Sequence, residues 1–175
     1  MSDNVFQQPI DQIIEASSDT EEFSIIPFRI HRNCFSLPTS NIVTLSGKVD
    51  VHAIPFNANK FVEGLVAINS EVYILLNVIN FLSIDNHQQV NNENIVTGLY
   101  QRIAVVKLEN RIIAISVDEV YPICRVQQSD IIRLTNDDLF KNVSNGYYPK
   151  NDDWIDNNYL LDLDKFSNLF EISLE

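Results

Sequence analysis

Apolar and polar positions alternate most regularly between residues 102 and 125, RIAVVKLENRIIAISVDEVYPICR. Two apolar runs, 103–108 and 112–117, flank Glu109-Asn110-Arg111, where asparagine and charge replace β-branched residues, so the pattern predicts a hairpin. Ile103 and Val105 alternate with Ala104, Val106 and Leu108 in the first run, and Ile113, Ile115 and Val117 with Ile112 and Ala114 in the second. Both faces are apolar, so both are expected to be covered. Such a hairpin is a wall shared between a barrel's interior and a neighbouring layer. Polar punctuation at Val117-Asp118-Glu119-Val120 then precedes a third run, 121–126.

The rest of the chain follows the same period. Residues 1–22 are polar and acidic, with one weak helical pattern in Ile10, Ile13 and Ile14, and read as a mobile arm. Strands are predicted at 23–30 and 34–37, around a turn at Asn33, then at 42–45 and 49–54, broken by Ser46-Gly47-Lys48. Short strands at hairpin spacing are the pattern of an all-β barrel. A polar loop at 56–61 leads to strands 64–68 and 72–76 around Asn69-Ser70-Glu71, and 77–82 reads as one closing helical turn. Residues 83–100, rich in asparagine and glutamine, are the linker candidate. Beyond the central hairpin, 127–158 is loop-rich. Asn145-Gly146 is a hairpin-turn dipeptide there, and 151–158 is acidic apart from Trp154 and Ile155. A last strand, 159–163, precedes a helix at 164–170 capped by Asp164, with Phe166, Leu169 and Phe170 as its apolar residues. The expected division is thus an arm at 1–22 and one domain at 23–170. That domain comprises a first barrel at 23–82, the linker, a second barrel at 101–163 and the helix. The halves echo each other without a fixed-period repeat.

A chain of 175 residues with 45% hydrophobic content buries a core without staples. No apolar run is long enough to span a membrane, and residues 1–22 hold neither a basic segment nor an apolar signal core, so the expected location is cytoplasmic. Cys34 and Cys124 read as buried, reduced thiols beside strands. The net charge of −12 is concentrated at the ends, with Asp3, Asp11, Glu15, Asp19, Glu21 and Glu22 unopposed by Lys or Arg over residues 1–24. That distribution argues against nucleic acid or an anionic membrane as partner, because both require a basic surface.

Chemistry is scarce. His31, His52 and His87 lie far apart with no acid or cysteine at ligand spacing, so no metal is expected. Gly47, Gly64, Gly98 and Gly146 are scattered, which leaves no phosphate cradle and no cofactor motif. Asp118-Glu119, adjacent on a strand, diverge to opposite faces and read as a strand-end break with a hydrogen-bonding Asp. Asp162 and Asp164 would share a strand face, without a His or Lys to act with them. Tyr147, Tyr148 and Trp154 are either a docking surface or a local mini-core. What remains for function is surface, and the expectation is a non-catalytic protein.

At 64–77 and 117–120 the sequence resembles the CheW-like domain family. Gly64-Leu65-Val66-Ala67-Ile68-Asn69-Ser70 stands where that family carries a Gly-[hydrophobic]-Asn-Leu-Arg-Gly turn. Val117-Asp118-Glu119-Val120 and Leu161-Asp162-Leu163 match its later strands in order. Asn69-Ser70 replaces Arg-Gly, Ile74 replaces Pro and Asn77 replaces Asp. The resemblance implies two small five-stranded SH3-like β-barrels on a common hydrophobic core, with short helices. It also implies an adaptor without catalytic activity or cofactor, which binds a chemoreceptor's cytoplasmic hairpin tip and the regulatory domain of a CheA-type histidine kinase. Such adaptors serve chemotaxis or type IV pilus twitching, and are recruited from the cytoplasm to membrane-associated receptor arrays. The receptor-facing patch carried over is Ile42, Thr44 and Leu45 on the first barrel and Gln101, Arg102 and Ile123 on the second, with Asn69 at the position of a partner-contacting arginine. Ile42 and Ile123 are equally readable as core. Two alternatives stand beside this one: a divergent paralogue with altered partners, and a β-barrel that binds a small ligand.

Overall fold

The central hairpin forms as its alternation predicts. Strands β7 (Arg102–Lys107) and β8 (Ile112–Val117) pair antiparallel from Arg102↔Val117 to Lys107↔Ile112, and the turn closes with the Leu108 N–H donating to Arg111 O at 2.8 Å. Ile103, Val105 and Ala114 face inward with Val66, Ile68, Tyr73 and Leu75, filling a barrel. On the opposite face Ala104, Val106, Leu108, Ile113, Ile115 and Val117 enter a larger cluster with Phe28, Phe35, Leu37 and Phe166. Each buried Val, Ile or Phe contributes about 1.5–3 kcal/mol of transfer free energy before entropic costs, so the wall anchors two cores at once.

The chain is seen here as a computed structural model describing residues 21–55, 59, 61–83, 102–150 and 156–172. Most of the acidic arm, the linker with His87 and Gln101, and Trp154 lie outside the described residues. The remaining strands are β1 (Glu22–Ile30), β2 (Asn33–Pro38), β3 (Ile42–Ser46), β4 (Val51–His52), β5 (Val62–Ile68), β6 (Glu71–Leu76), β9 (Glu119–Val120), β10 (Cys124–Gln127), β11 (Ile132–Arg133), β12 (Ser144–Tyr148) and β13 (Asn158–Leu161). They form two sheets, in the orders β10-β1-β2-β13-β12-β11 and β3-β7-β8-β6-β5-β4, with β9 flanking β1. Each sheet has five principal strands and a two-residue closing strand, the SH3-like arrangement expected. No helix among the described residues is long and apolar enough to cross a membrane.

The barrels do not divide the chain at the linker, which corrects the expected 23–82 and 101–163. One barrel is continuous, built from strands between residues 42 and 117; the other is split, β1 and β2 joining β9–β13 from beyond residue 118. The parallel pairs β2–β13 and β6–β8 join hairpins distant in sequence, a contact that local periodicity does not encode. The two sheet orders correspond strand for strand, so Ser36 is the counterpart of Ala114, Ile25 of Ile103 and Asp162 of Asn77.

Each barrel ends in a helix, α1 (Val78–Ser83) or α2 (Leu163–Ile172). The Asn77 side chain accepts from the Asn80 N–H at 3.2 Å, and Asp162 Oδ1 accepts from the Asp164 and Lys165 N–H groups at 3.0 Å. Asp162, rather than Asp164, is therefore the cap of α2, because β13 stops at Leu161 and frees the next residue to cap. Asn145-Gly146 is likewise not a turn. It lies inside β12 after a register shift, where a Cβ on Gly146 would overlap Ile131 Cγ2 and approach Ile132 O to 2.9 Å. Gly64 holds the matching place in the continuous barrel, its Cβ position 2.6 Å from His52 O. The expected strand at 49–54 shrinks to the two residues of β4. Inside the split barrel, Ser36 and Asn158 are fully buried, and their side-chain polar atoms meet no hydrogen-bond partner among the described residues.

Candidate interaction surface

Strand β3 presents its side chains through a bulge. Ile42 pairs with Val106 and Thr44 with Val105, so Val43 is the extra residue that re-aims the strand. Ile42 consequently packs against the shared core, Thr44 is half-buried, and Val43 and Leu45 are 47% and 40% exposed. Leu45 lies opposite Ala104, and Arg102 is exposed at the same end of β7. In the split barrel Cys124 pairs with Ile25, which places Ile123 opposite Ile26, the counterpart of Ala104. Ile123 is 63% exposed. Leu45 and Ile123 therefore occupy the same register in the two barrels.

Asn69 is not part of that group. The β5–β6 turn lies at the barrel end where the β7–β8 turn also lies, opposite the end that carries Arg102. Asn69 and Ser70 have φ of 51° and 69°, the left-handed pair that a two-residue hairpin turn requires. Behind this turn runs a surface that the sequence reading missed. Ala67 pairs with Val72 and Leu65 with Ile74 on the outward face, and Val72 is 67% exposed. The signal was present, since β6 is apolar at consecutive positions, and only its inward set, Tyr73 and Leu75, finds a core.

The polar groups brace the frame. Asp118 accepts from the His31 N–H at 2.6 Å, holding the β1–β2 turn where His31 takes a φ of 57°. Arg29 pairs with Glu119 at 3.4 Å and donates to His31 O at 3.0 Å, and the Tyr121 hydroxyl donates to Glu119 at 3.1 Å. Burial pushes the Cys34 thiol up, away from the reactive thiolate. Burial likewise raises the phenols of Tyr148 and Tyr159. Tyr148 belongs to the interior of the split barrel, while Tyr147 stacks at 5.6 Å on Tyr159, itself 4.6 Å from Phe140. Among the described residues no three His, Cys, Asp or Glu side chains cluster at metal-binding range.

A family model, the CheW-like domain, matches residues 24–167. No curated protein matches the sequence. Among solved structures the fold is similar to the scaffolding protein TtCheW from Thermoanaerobacter tengcongensis, with a TM-score of 0.60 and 17% identity. That match covers 81% of this chain and 89% of the other.

Proposed function

The chain belongs to the CheW-like domain family, and from that premise we propose that it is a non-catalytic adaptor coupling chemoreceptors to a CheA-type histidine kinase. The observation that carries this reading is the pair Leu45 and Ile123, apolar yet 40% and 63% exposed, in matching register on the two barrels. A receptor tip is a helical hairpin, and two equivalent apolar anchors suit its two similar helices. Val43, Leu45, Arg102 and Ile123 form the receptor-facing patch; Ile42 supports it from the core side. The kinase's regulatory domain takes the far end, at Asn69 and the Val72/Ile74 face. The adaptor acts in the cytoplasm, at receptor arrays of a chemotaxis or pilus-twitching system.

Titration with a receptor tip and with the kinase's regulatory domain tests this reading. Leu45→Glu and Ile123→Glu are each expected to weaken receptor binding by about 10- to 100-fold, the worth of one buried aliphatic side chain, without lowering the melting temperature. Silence toward both partners would overturn the adaptor. A second reading, a paralogue with altered contacts, is supported by the short neutral Asn69 in an exposed turn. Asn69→Arg is then expected to tighten kinase binding, and an unchanged Kd would count against that turn as a contact.

A further inference from the structure

The connection 134–145 and the first turns of α2 enclose an open cavity of about 470 Å3. Its walls include Lys141, Lys165, Asn136, Asn142, Asn145 and Asn168, and none of the described residues lining it is acidic. On a chain of net charge −12, a concavity walled by two lysines and four asparagines is an exception.

Both ammonium groups are held in place. Lys165 Nζ donates to Lys141 O at 2.6 Å and to Ser144 O at 3.0 Å, and Lys141 Nζ donates to Asn136 O at 2.6 Å. Carbonyl oxygens orient the charges without neutralising them. With three donors per ammonium, one N–H on Lys165 and two on Lys141 meet no acceptor among the described residues. Among the described residues, two acids hydrogen-bond to the lining residues, and both are engaged. Asp138 accepts from the Thr135 N–H and hydroxyl, and Asp162 accepts from the Asn145 amide and the α2 backbone. We propose that this cavity binds a small oxyanion, the carboxylate or phosphate group of a soluble small molecule, through Lys141 and Lys165 with the asparagine amides as neutral donors.

The test uses the full chain, 15N-labelled, titrated at constant ionic strength with inorganic phosphate, with malonate and, as a control for screening, with chloride. Saturating amide shifts confined to 134–145 and 163–168 are expected for phosphate, malonate or both, and the stronger of the two names the group. Lys141→Gln is expected to raise the Kd at least fivefold, while Lys107→Gln, at the exposed end of β7, leaves it unchanged. Lys141 is exposed and caps no helix, so the variant keeps the fold, which its melting temperature verifies. Linear shifts, equal shifts with chloride, or an unchanged Kd in Lys141→Gln would each overturn the site.

Discussion

One substitution, glycine to alanine, is expected to have opposite effects at three places. At Gly64 the new Cβ would stand 2.6 Å from His52 O and 2.8 Å from Val51 Cγ1. Both are closer than atoms pack, and the oxygen belongs to the backbone of β4, the strand that closes the continuous barrel. Relief requires β4 to move, and overpacking of this kind costs about 1–3 kcal/mol. At about 2–4 °C per kcal/mol for a chain of this size, Gly64→Ala should lower the melting temperature by roughly 2–12 °C. Gly146→Ala should behave alike, since it meets Ile131 Cγ2 and the Ile132 carbonyl at the matching closure. Gly47 has nothing within 4 Å of its Cβ position. There the same methyl group only restricts the unfolded chain and is expected to stabilise by up to about 1 kcal/mol. Urea unfolding of the three variants decides the matter. A Gly64→Ala midpoint equal to that of Gly47→Ala would refute the account of how the barrels close.

Other perturbations read separate parts of the frame. Ser70→Gly, at a φ of 69°, should raise stability by about 1 kcal/mol by relieving left-handed strain; an unchanged urea midpoint would contradict the turn geometry. Ser36→Ala should leave stability equal or higher, since its hydroxyl is buried without a partner among the described residues and the counterpart position is Ala114; a loss above about 1 kcal/mol would mean the hydroxyl is bonded. The Tyr148 phenol is raised above its ordinary 10.0 chiefly by burial, so the folded state favours the neutral form. That stability is complete below pH 10 and is lost as the pH climbs above it. Phenolate absorbance should therefore appear for this tyrosine only together with unfolding, and normal titration in the folded protein would refute its burial.

The strands were legible because a period of two survives in the sequence, most clearly at Ile103–Val105 against Ala104–Val106. Their assignment to barrels was not, since β2 meets β13 and β6 meets β8 across long separations that no local pattern records. Asp162 and Asp164 look equally able to cap, and only the point where β13 stops selects the first. The Asn145-Gly146 dipeptide carries a strong local turn preference that crowding by Ile131 and Ile132 overrides. Val72 and Ile74 resemble the doubly covered residues of β7, and sheet position alone leaves them exposed. Leu45 and Ile123 came from the family resemblance, and the register adds that they are counterparts.

The split barrel also sets an order in time. During synthesis the continuous barrel has all its strands once residue 117 is made, whereas β1 and β2 wait for β13, which ends at residue 161. At 5–20 residues per second, that delay after β2 amounts to roughly 6–25 s, during which the β1–β2 hairpin lacks the neighbour that β13 supplies. Closing such a span costs about 0.6 kcal/mol more for each doubling of loop length, so the wait carries an entropic cost as well as a delay. The early barrel is therefore expected to offer the surface on which Phe28, Phe35 and Leu37 later dock, and lesions at Gly64 should reduce the yield of folded protein more than lesions at Gly146.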